Sequence, residues 1–141
     1  MKVTQLSYKT HDIFLLDVGE ARLKNLMDQT NKSRWGVVID SINKYIPAAR
    51  TTHRGENFLY QVDNMSSIIT PQIFDKIEPF EGGTKEDPAL IGSDESIIHL
   101  TLNKEGYQTI ETISDLTDQF KERLVRHALG VYEYVALKGT S

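Results

Sequence analysis

The chain has 141 residues, a formal net charge of −4 at pH 7 and no cysteine. Without cysteine it can form no disulfide, thiol nucleophile or cysteine-ligated metal site, and the negative charge argues against broad nucleic-acid binding. No apolar run approaches the roughly 18 residues that a membrane helix needs, and residues 1–5 lack the apolar core of a signal peptide. We therefore expect a cytoplasmic protein without a membrane segment, and the length favours one domain over residues 1–141.

Two strands and a helix are predicted at the N-terminal end. Residues 2–8 alternate weakly and residues 12–18 form a short apolar run, so both are interpreted as strands. A helix then starts at Asp17 or Gly19 and ends at Asn31-Lys32.

A second helix is predicted after Ser33, which is a favourable N-cap residue. Its apolar side chains recur at helical spacing along one face; they are Trp35, Val38, Ile39, Ile42, Tyr45 and Ile46. We expect Trp35 to belong to the core. Pro47 should end this helix, because a proline inside a helix removes a hydrogen bond and clashes with the preceding turn.

The middle of the chain predicts one strand, one short helix and a long loop. Residues 58–62 alternate as in a strand, Asp63-Asn64 is a turn signal, and a short helix follows Thr70-Pro71. Residues 79–95 have no periodicity and contain several glycines and acids, so we expect a long acidic loop there. Loops of this length inside a domain are usually functional or mobile.

A hairpin and a long helix are predicted at the C-terminal end. Residues 96–102 and 107–111 are interpreted as strands on either side of a turn that ends in glycine, and residues 112–139 carry a helical stripe of apolar residues. A rival interpretation ends the helix at Gly130 and makes residues 131–137 a strand, because this stretch favours strands. We prefer the helix, since Gly130 then lies on its exposed side.

These elements predict an α+β fold with a largely antiparallel sheet of about four to five strands packed against three helices, the last of them long. That long helix would begin with a capping box at Thr112 and Asp115. Arg126 would lie roughly opposite its apolar stripe.

The strand around His99 carries a recognisable pattern. His99 and Thr101 follow apolar residues in a way that resembles the His-x-Thr motif of the two-histidine phosphoesterases. In that family two such strands point both imidazoles at one phosphate for acid–base catalysis. This chain lacks the second copy, because neither His11 nor His53 is followed by the required threonine. The resemblance therefore implies only an alternative, a small hydrolase of phosphate esters using His99 and Thr101 with His53 and Arg54.

None of the four histidines lies at metal-ligand spacing from another histidine or a carboxylate. The acidic loop does not match a calcium-binding loop, and no Gly-rich phosphate loop is present. We expect no metal ion and no cofactor.

Two stretches of opposite charge remain as candidate binding surfaces. Residues 44–54, the basic segment, carry cations and no acid, whereas residues 78–95 carry six acids against Lys85 alone. Apolar residues of the loop would anchor the contact, because charge supplies register more than affinity. The candidate binding residues are Lys44, Arg50 and Arg54 in the basic segment, and Phe80, Glu81, Glu86, Asp87, Leu90 and Ile91 in the acidic loop.

The missing catalytic motifs and the complementary charges favour a non-enzymatic protein–protein interaction or assembly module. Its expected partner is another protein or a second copy of the chain, joined head to tail as a homo-oligomer. An acidic chain without cysteine also suits a phage-encoded structural or inhibitory protein, which would place it in an assembled virion. A further alternative is weak nucleic-acid binding through residues 44–60, where aromatic residues lie among the cations.

Overall fold

The computed structural model describes residues 9–14, 16–77, 97–102 and 104–138. In chain order, the elements in these ranges are β1 (Lys9–Phe14), α1 (Leu16–Thr30), α2 (Arg34–His53), β2 (Phe58–Val62), β3 (Met65–Ile69), α3 (Pro71–Lys76), β4 (Ile97–Leu102), α4 (Lys104–Thr117) and α5 (Lys121–Lys138). Within the same ranges, no helix combines the length and the apolar character needed to cross a membrane. The strand predicted at residues 2–8 lies outside the described residues.

The described strands form two separate two-stranded antiparallel sheets. β1 pairs with β4, with Lys9 opposite Leu102, and β2 pairs with β3 as a hairpin whose turn is Asp63-Asn64. The predicted α+β fold, with one sheet of four to five strands on three helices, is therefore wrong: the described chain is mostly helical. β-branched residues led to this error, because strand propensity depends strongly on tertiary context.

Helix α5 lies at the centre of the structure. Every residue from Leu124 to Tyr132 is buried, so this stretch has no solvent-facing side and forms a core helix. Helices α1, α2 and α4 and strands of both sheets pack around it. The preferred interpretation of residues 131–137 as helix is confirmed, but Gly130 and Arg126, expected away from the core, are both buried.

The predicted long C-terminal helix is in fact two helices, separated by residues 118–120. Asp118 adopts the left-handed conformation with φ of 53°. Its backbone N–H donates to the Asp115 carbonyl, and the backbone N–H of Gln119 donates to the Ser114 carbonyl. This is the hydrogen-bond pattern of a Schellman helix end. Glycine is the usual residue at the left-handed position, so an aspartate there gives little signal in the sequence.

Helix α4 replaces the second strand of the predicted hairpin. The first strand is confirmed as β4, but residues 107–111 are helical. Ile110 and Ile113 are buried at helical spacing, and the hydroxyls of Thr109 and Thr112 donate to carbonyls one turn earlier. These bonds satisfy threonine inside a helix. Thr112 lies within α4, so the expected capping box is wrong.

Helix α2 continues through Pro47 to His53, so the prediction that Pro47 ends this helix is wrong. A proline in a helix interior costs about 3 kcal/mol of stability. The last turns stay helical because Ala48, Ala49 and Thr52 are buried, and tertiary packing supplies most helical stability in proteins. The continuation carries His53 to the site described below.

Several local signals are confirmed. Ser33 and Thr70 accept hydrogen bonds from the backbone N–H groups of Gly36 and Ile73, as N-cap residues do, and β2 forms where a strand was predicted. Trp35 differs from the expectation, because 39% of its surface is exposed. The tryptophan lies at the rim of the structure and not in its core.

Candidate functional site

A cleft of about 690 Å³ opens between the C-terminal end of α2, helix α3 and the linker between α4 and α5. This volume lies in the range of known ligand clefts. Ile77 and Leu116 contribute apolar surface, while Gln119, Arg123 and His127 bring polar groups to it. The cleft combines space with convergent polar side chains, which makes it the candidate functional site.

The floor of the cleft is a chain of hydrogen bonds. His127 Nε2 lies 2.9 Å from the Phe74 carbonyl oxygen, and its Nδ1 lies 2.7 Å from the Tyr45 hydroxyl. Because a carbonyl only accepts, Nε2 carries the proton and Nδ1 accepts from Tyr45. The Gln119 amide donates to the Tyr45 oxygen at 2.8 Å and to the Thr117 hydroxyl at 2.9 Å. The Tyr45 hydroxyl and both imidazole nitrogens therefore have partners.

His127 supports the floor and does not offer acid–base chemistry. Its side chain is buried, and its ring packs edge-on against Phe74 with centroids 4.6 Å apart. Burial lowers the pKa of His127 to about 4, and the positive charge of Arg123 acts in the same direction. Both ring nitrogens are bonded, so neither is available to exchange a proton with a substrate.

The charged side chains of the cleft differ in exposure. Arg123 is half-buried, and within the described residues it makes no ion pair or hydrogen bond. Asp75 and Asp118 also line the cleft but are exposed, so solvent screens their charges more strongly. Phe120 lies in the cleft wall and is 75% exposed. Aromatic residues are enriched in protein interfaces, so this combination is typical of a contact surface.

The structure brings part of the basic segment to the cleft. Arg50, His53 and Arg54 lie close together at the end of α2 and are exposed, and His53 lines the cleft. Arg54 Nε donates to Glu56 Oε2 at 2.8 Å, which offsets its charge locally. Lys44 lies more than two turns earlier on α2 and is not a lining residue of the cleft.

The remaining predicted site residues are not tested by the structure. The acidic loop lies outside the described residues, and with it Phe80, Glu81, Glu86, Asp87, Leu90 and Ile91. His99 and Thr101 lie in β4, where His99 is opposite Asp12 of β1, but their side chains also fall outside the described part. Their catalytic pairing with His53 stays a prediction.

The aromatic residues near the basic segment face the core. Tyr45 and Tyr60 are 0% and 1% exposed, and Phe58 is half-buried. Stacking on a nucleic-acid base requires an exposed ring face. The two tyrosines of the nucleic-acid alternative therefore cannot serve as stacking platforms.

A second polar cluster joins α2 and α5 away from the cleft. Lys32 Nζ lies 3.0 Å from Asp40 Oδ2 and 3.1 Å from the Tyr132 hydroxyl, which donates to Asp40 at 2.8 Å. Burial raises the pKa of Tyr132 to about 12, so the hydroxyl keeps its proton at neutral pH. The Lys32 and Asp40 side chains remain 32% and 29% exposed. None of the three lines the cleft, and we interpret the cluster as structural.

Sequence reasoning missed Gln119, Phe120 and Arg123 as site residues. One continuous helix would place Gln119 and Phe120 on different faces, whereas the break at Asp118 lets all three line one cleft. The polar pair Asp118-Gln119 before Phe120 could have indicated a helix end, because aspartate tolerates the left-handed conformation that ends a helix.

Within the described ranges, no group of three or more histidine or carboxylate side chains could hold a metal ion. No protein-family model, no curated protein and no solved structure matches the chain. The functional inference therefore depends on the cleft and on the charge pattern of the sequence.

Proposed function

We propose that the protein is a non-enzymatic protein-interaction module and that the cleft is its contact site for an acidic segment of a partner. The observation that carries this proposal is the proximity of Arg123, half-buried and without an ion pair among the described residues, to the exposed Phe120 in one cleft. A guanidinium binds a carboxylate through charge-assisted hydrogen bonds. Covering Phe120 would remove apolar surface from water.

The floor of the cleft supports binding in preference to catalysis. Tyr45, Gln119 and His127 are held by one another and by the Phe74 carbonyl. Side chains whose hydrogen bonds fix them in place lose little entropy when a partner binds. The same bonds occupy both ring nitrogens of His127, so this buried histidine is not a free base, which favours an interaction module over a hydrolase.

A second copy of the chain is the partner that we propose. Residues 78–95 carry six acids together with Phe80, Leu90 and Ile91, which are the residue types that Arg123 and Phe120 would contact. Because the two surfaces differ, the contact is heterologous and generates rings or filaments in place of a two-fold dimer. Charge would set the encounter rate and register, and the apolar residues would supply affinity.

Light scattering at low and moderate salt tests this self-assembly. Wild-type protein should form oligomers that dissociate as the salt concentration rises, because salt screens exposed charges. Arg123→Glu should remain monomeric, since it places an acid where the acidic segment binds. The matched control is Lys24→Glu, which makes the same charge change at an exposed position of α1 and should assemble like wild type.

A fluorescent peptide of residues 78–95 separates binding from assembly. Its anisotropy should rise with wild-type protein and with Lys24→Glu, and should stay low with Arg123→Glu. Arg54 is left unchanged in these variants because it is already paired with Glu56. A wild-type protein that is monomeric at every salt concentration and does not bind the peptide would contradict the proposal.

A further inference from the structure

One hydrogen-bonding atom of the Gln119 side chain has no partner among the described residues. The hydrogen bonds of the cleft floor identify which atom this is. The Tyr45 hydroxyl donates to His127 Nδ1, because Nε2 must donate to a backbone carbonyl, so the Tyr45 oxygen can only accept. The Thr117 hydroxyl donates to a carbonyl one turn earlier at 2.8 Å, so its oxygen also accepts. Gln119 meets both with its amide N–H groups, which leaves its carbonyl oxygen, Oε1, without a partner among the described residues.

Gln119 and Arg123 therefore offer complementary chemistry in the same cleft. Oε1 of Gln119 only accepts hydrogen bonds, whereas the Arg123 guanidinium only donates them and carries a positive charge. We infer that the cleft selects a group in which a carboxylate lies next to an N–H donor, as at an acidic residue of a peptide. Arg123 receives the carboxylate and Gln119 Oε1 receives the N–H, which makes both specificity-determining residues.

This inference rests on the proposed function for its peptide ligand and adds the chemistry of recognition. A simple aliphatic carboxylate would bind Arg123 and leave Oε1 without a donor. An uncharged amide would bind Gln119 and leave Arg123 without an anion. From typical hydrogen-bond contributions, loss of the amide contact should weaken binding about fivefold and loss of the carboxylate contact about thirtyfold.

Three small probes test the two contacts separately. N-acetylglutamate N-methylamide carries the carboxylate and amide N–H groups, butyrate carries only the carboxylate, and N-acetylglutamine N-methylamide carries only amides. Titrations followed by protein amide chemical shifts give a dissociation constant for each probe. Wild-type protein should bind the glutamate probe about fivefold tighter than butyrate and about thirtyfold tighter than the glutamine probe.

Two variants assign each preference to its residue. Gln119→Met keeps the side-chain length but removes Oε1 together with the N–H donors to Tyr45 and Thr117, so its preference for the glutamate probe over butyrate should disappear. Arg123→Gln leaves the floor hydrogen bonds intact, so it should lose only the preference over the glutamine probe. Equal affinity of wild type for the glutamate probe and butyrate would overturn the inference. So would survival of that preference in Gln119→Met.

Self-assembly plays no part in these titrations, so the two proposals can fail separately. A wild-type protein that discriminates among the probes, yet stays monomeric and ignores the peptide of residues 78–95, would sustain this inference. The same result would reject a second copy as the partner.

Discussion

Helices α2 and α5 are joined by two hydrogen-bonded clusters of different character. Below the cleft, Tyr45 and His127 form a neutral, buried pair. At the other cluster, the buried Tyr132 and Asp40 are bonded to the charged Lys32, and the Lys32 and Asp40 side chains remain partly exposed. Asp40, the earlier residue on α2, is bonded to Tyr132, the later residue on α5, whereas Tyr45 is bonded to the earlier His127, so the helices run antiparallel. The two residues on each helix are separated by the same number of positions. The clusters are about 7.5 Å apart along the helix axes.

The difference between the clusters shows where charge can be placed in this fold. A buried polar group without a partner carries a large desolvation penalty. The cluster under the cleft is accordingly neutral, and the Tyr45 hydroxyl and both His127 nitrogens have hydrogen-bond partners. Water reaches Lys32 and Asp40, so a charged cluster is tolerated there. The neutral cluster should therefore be sensitive to mutation and acid, and the charged one should be more tolerant.

Replacing His127 should have the largest effect on stability. His127→Leu leaves the Phe74 carbonyl without a donor and the Tyr45 hydroxyl without an acceptor in a buried site. We expect the free energy of unfolding to fall by about 4 kcal/mol, from typical costs of two unsatisfied buried groups. Urea unfolding measures this, with the exposed His53→Leu as control. Equal effects of the two variants would show that the buried network adds no stability.

Acid should weaken the same cluster. The folded pKa of His127 is about 4 against an ordinary value of 6.5, so between these values the unfolded state binds a proton that the folded state excludes. Above pH 6.5 neither state binds it, and the contribution is constant. Stability should fall as pH drops from about 6.5 to about 4, by up to about 3 kcal/mol.

The control for this acid effect is His127→Leu, because that variant lacks the titrating group. Urea unfolding across the pH range should show the wild-type advantage shrinking toward acid. Wild-type and variant stabilities that run parallel through this range would refute the assignment to His127.

Removing the Tyr132 hydroxyl should have a smaller effect. Tyr132→Phe takes one donor from Asp40 and one acceptor from Lys32, but water can replace both because these side chains are partly exposed. We expect a loss of about 1 kcal/mol in the free energy of unfolding. A loss as large as that of His127→Leu would erase the distinction between the clusters.

Removing the Tyr60 hydroxyl should have the smallest effect on stability, and Tyr45→Phe is its matched control. Its hydroxyl is buried without a hydrogen-bond partner in the described part of the chain. Tyr60→Phe should leave the free energy of unfolding unchanged or slightly raised, because the deleted group was not satisfied. Tyr45→Phe deletes a bonded hydroxyl of the same type and should cost about 2 kcal/mol. Thermal unfolding of the two variants side by side measures this difference. Equal destabilisation of both would contradict the expectation.

The candidate site was predictable only in part. Arg50 and Arg54 stood out as cations in a segment, residues 44–54, that contains no acid, and the structure places His53 of that segment in the cleft. Arg123 and Gln119 could not be found in this way, because their proximity depends on a helix break that no glycine marks. The pairing of Arg54 with Glu56 also depended on how the chain turns after α2.

By itself, the sequence determined the features that depend on neighbouring residues. The N-cap Ser33, the short helix after Thr70, the strand β2 and the turn at Asp63-Asn64 all formed where predicted, because side-chain capping and turn chemistry act over a few residues. Only the tertiary structure decided that α2 continues past Pro47 and that residues 107–111 are helical. At those positions local propensity was overridden by burial against the central helix α5 and its neighbours, and that packing also created the cleft.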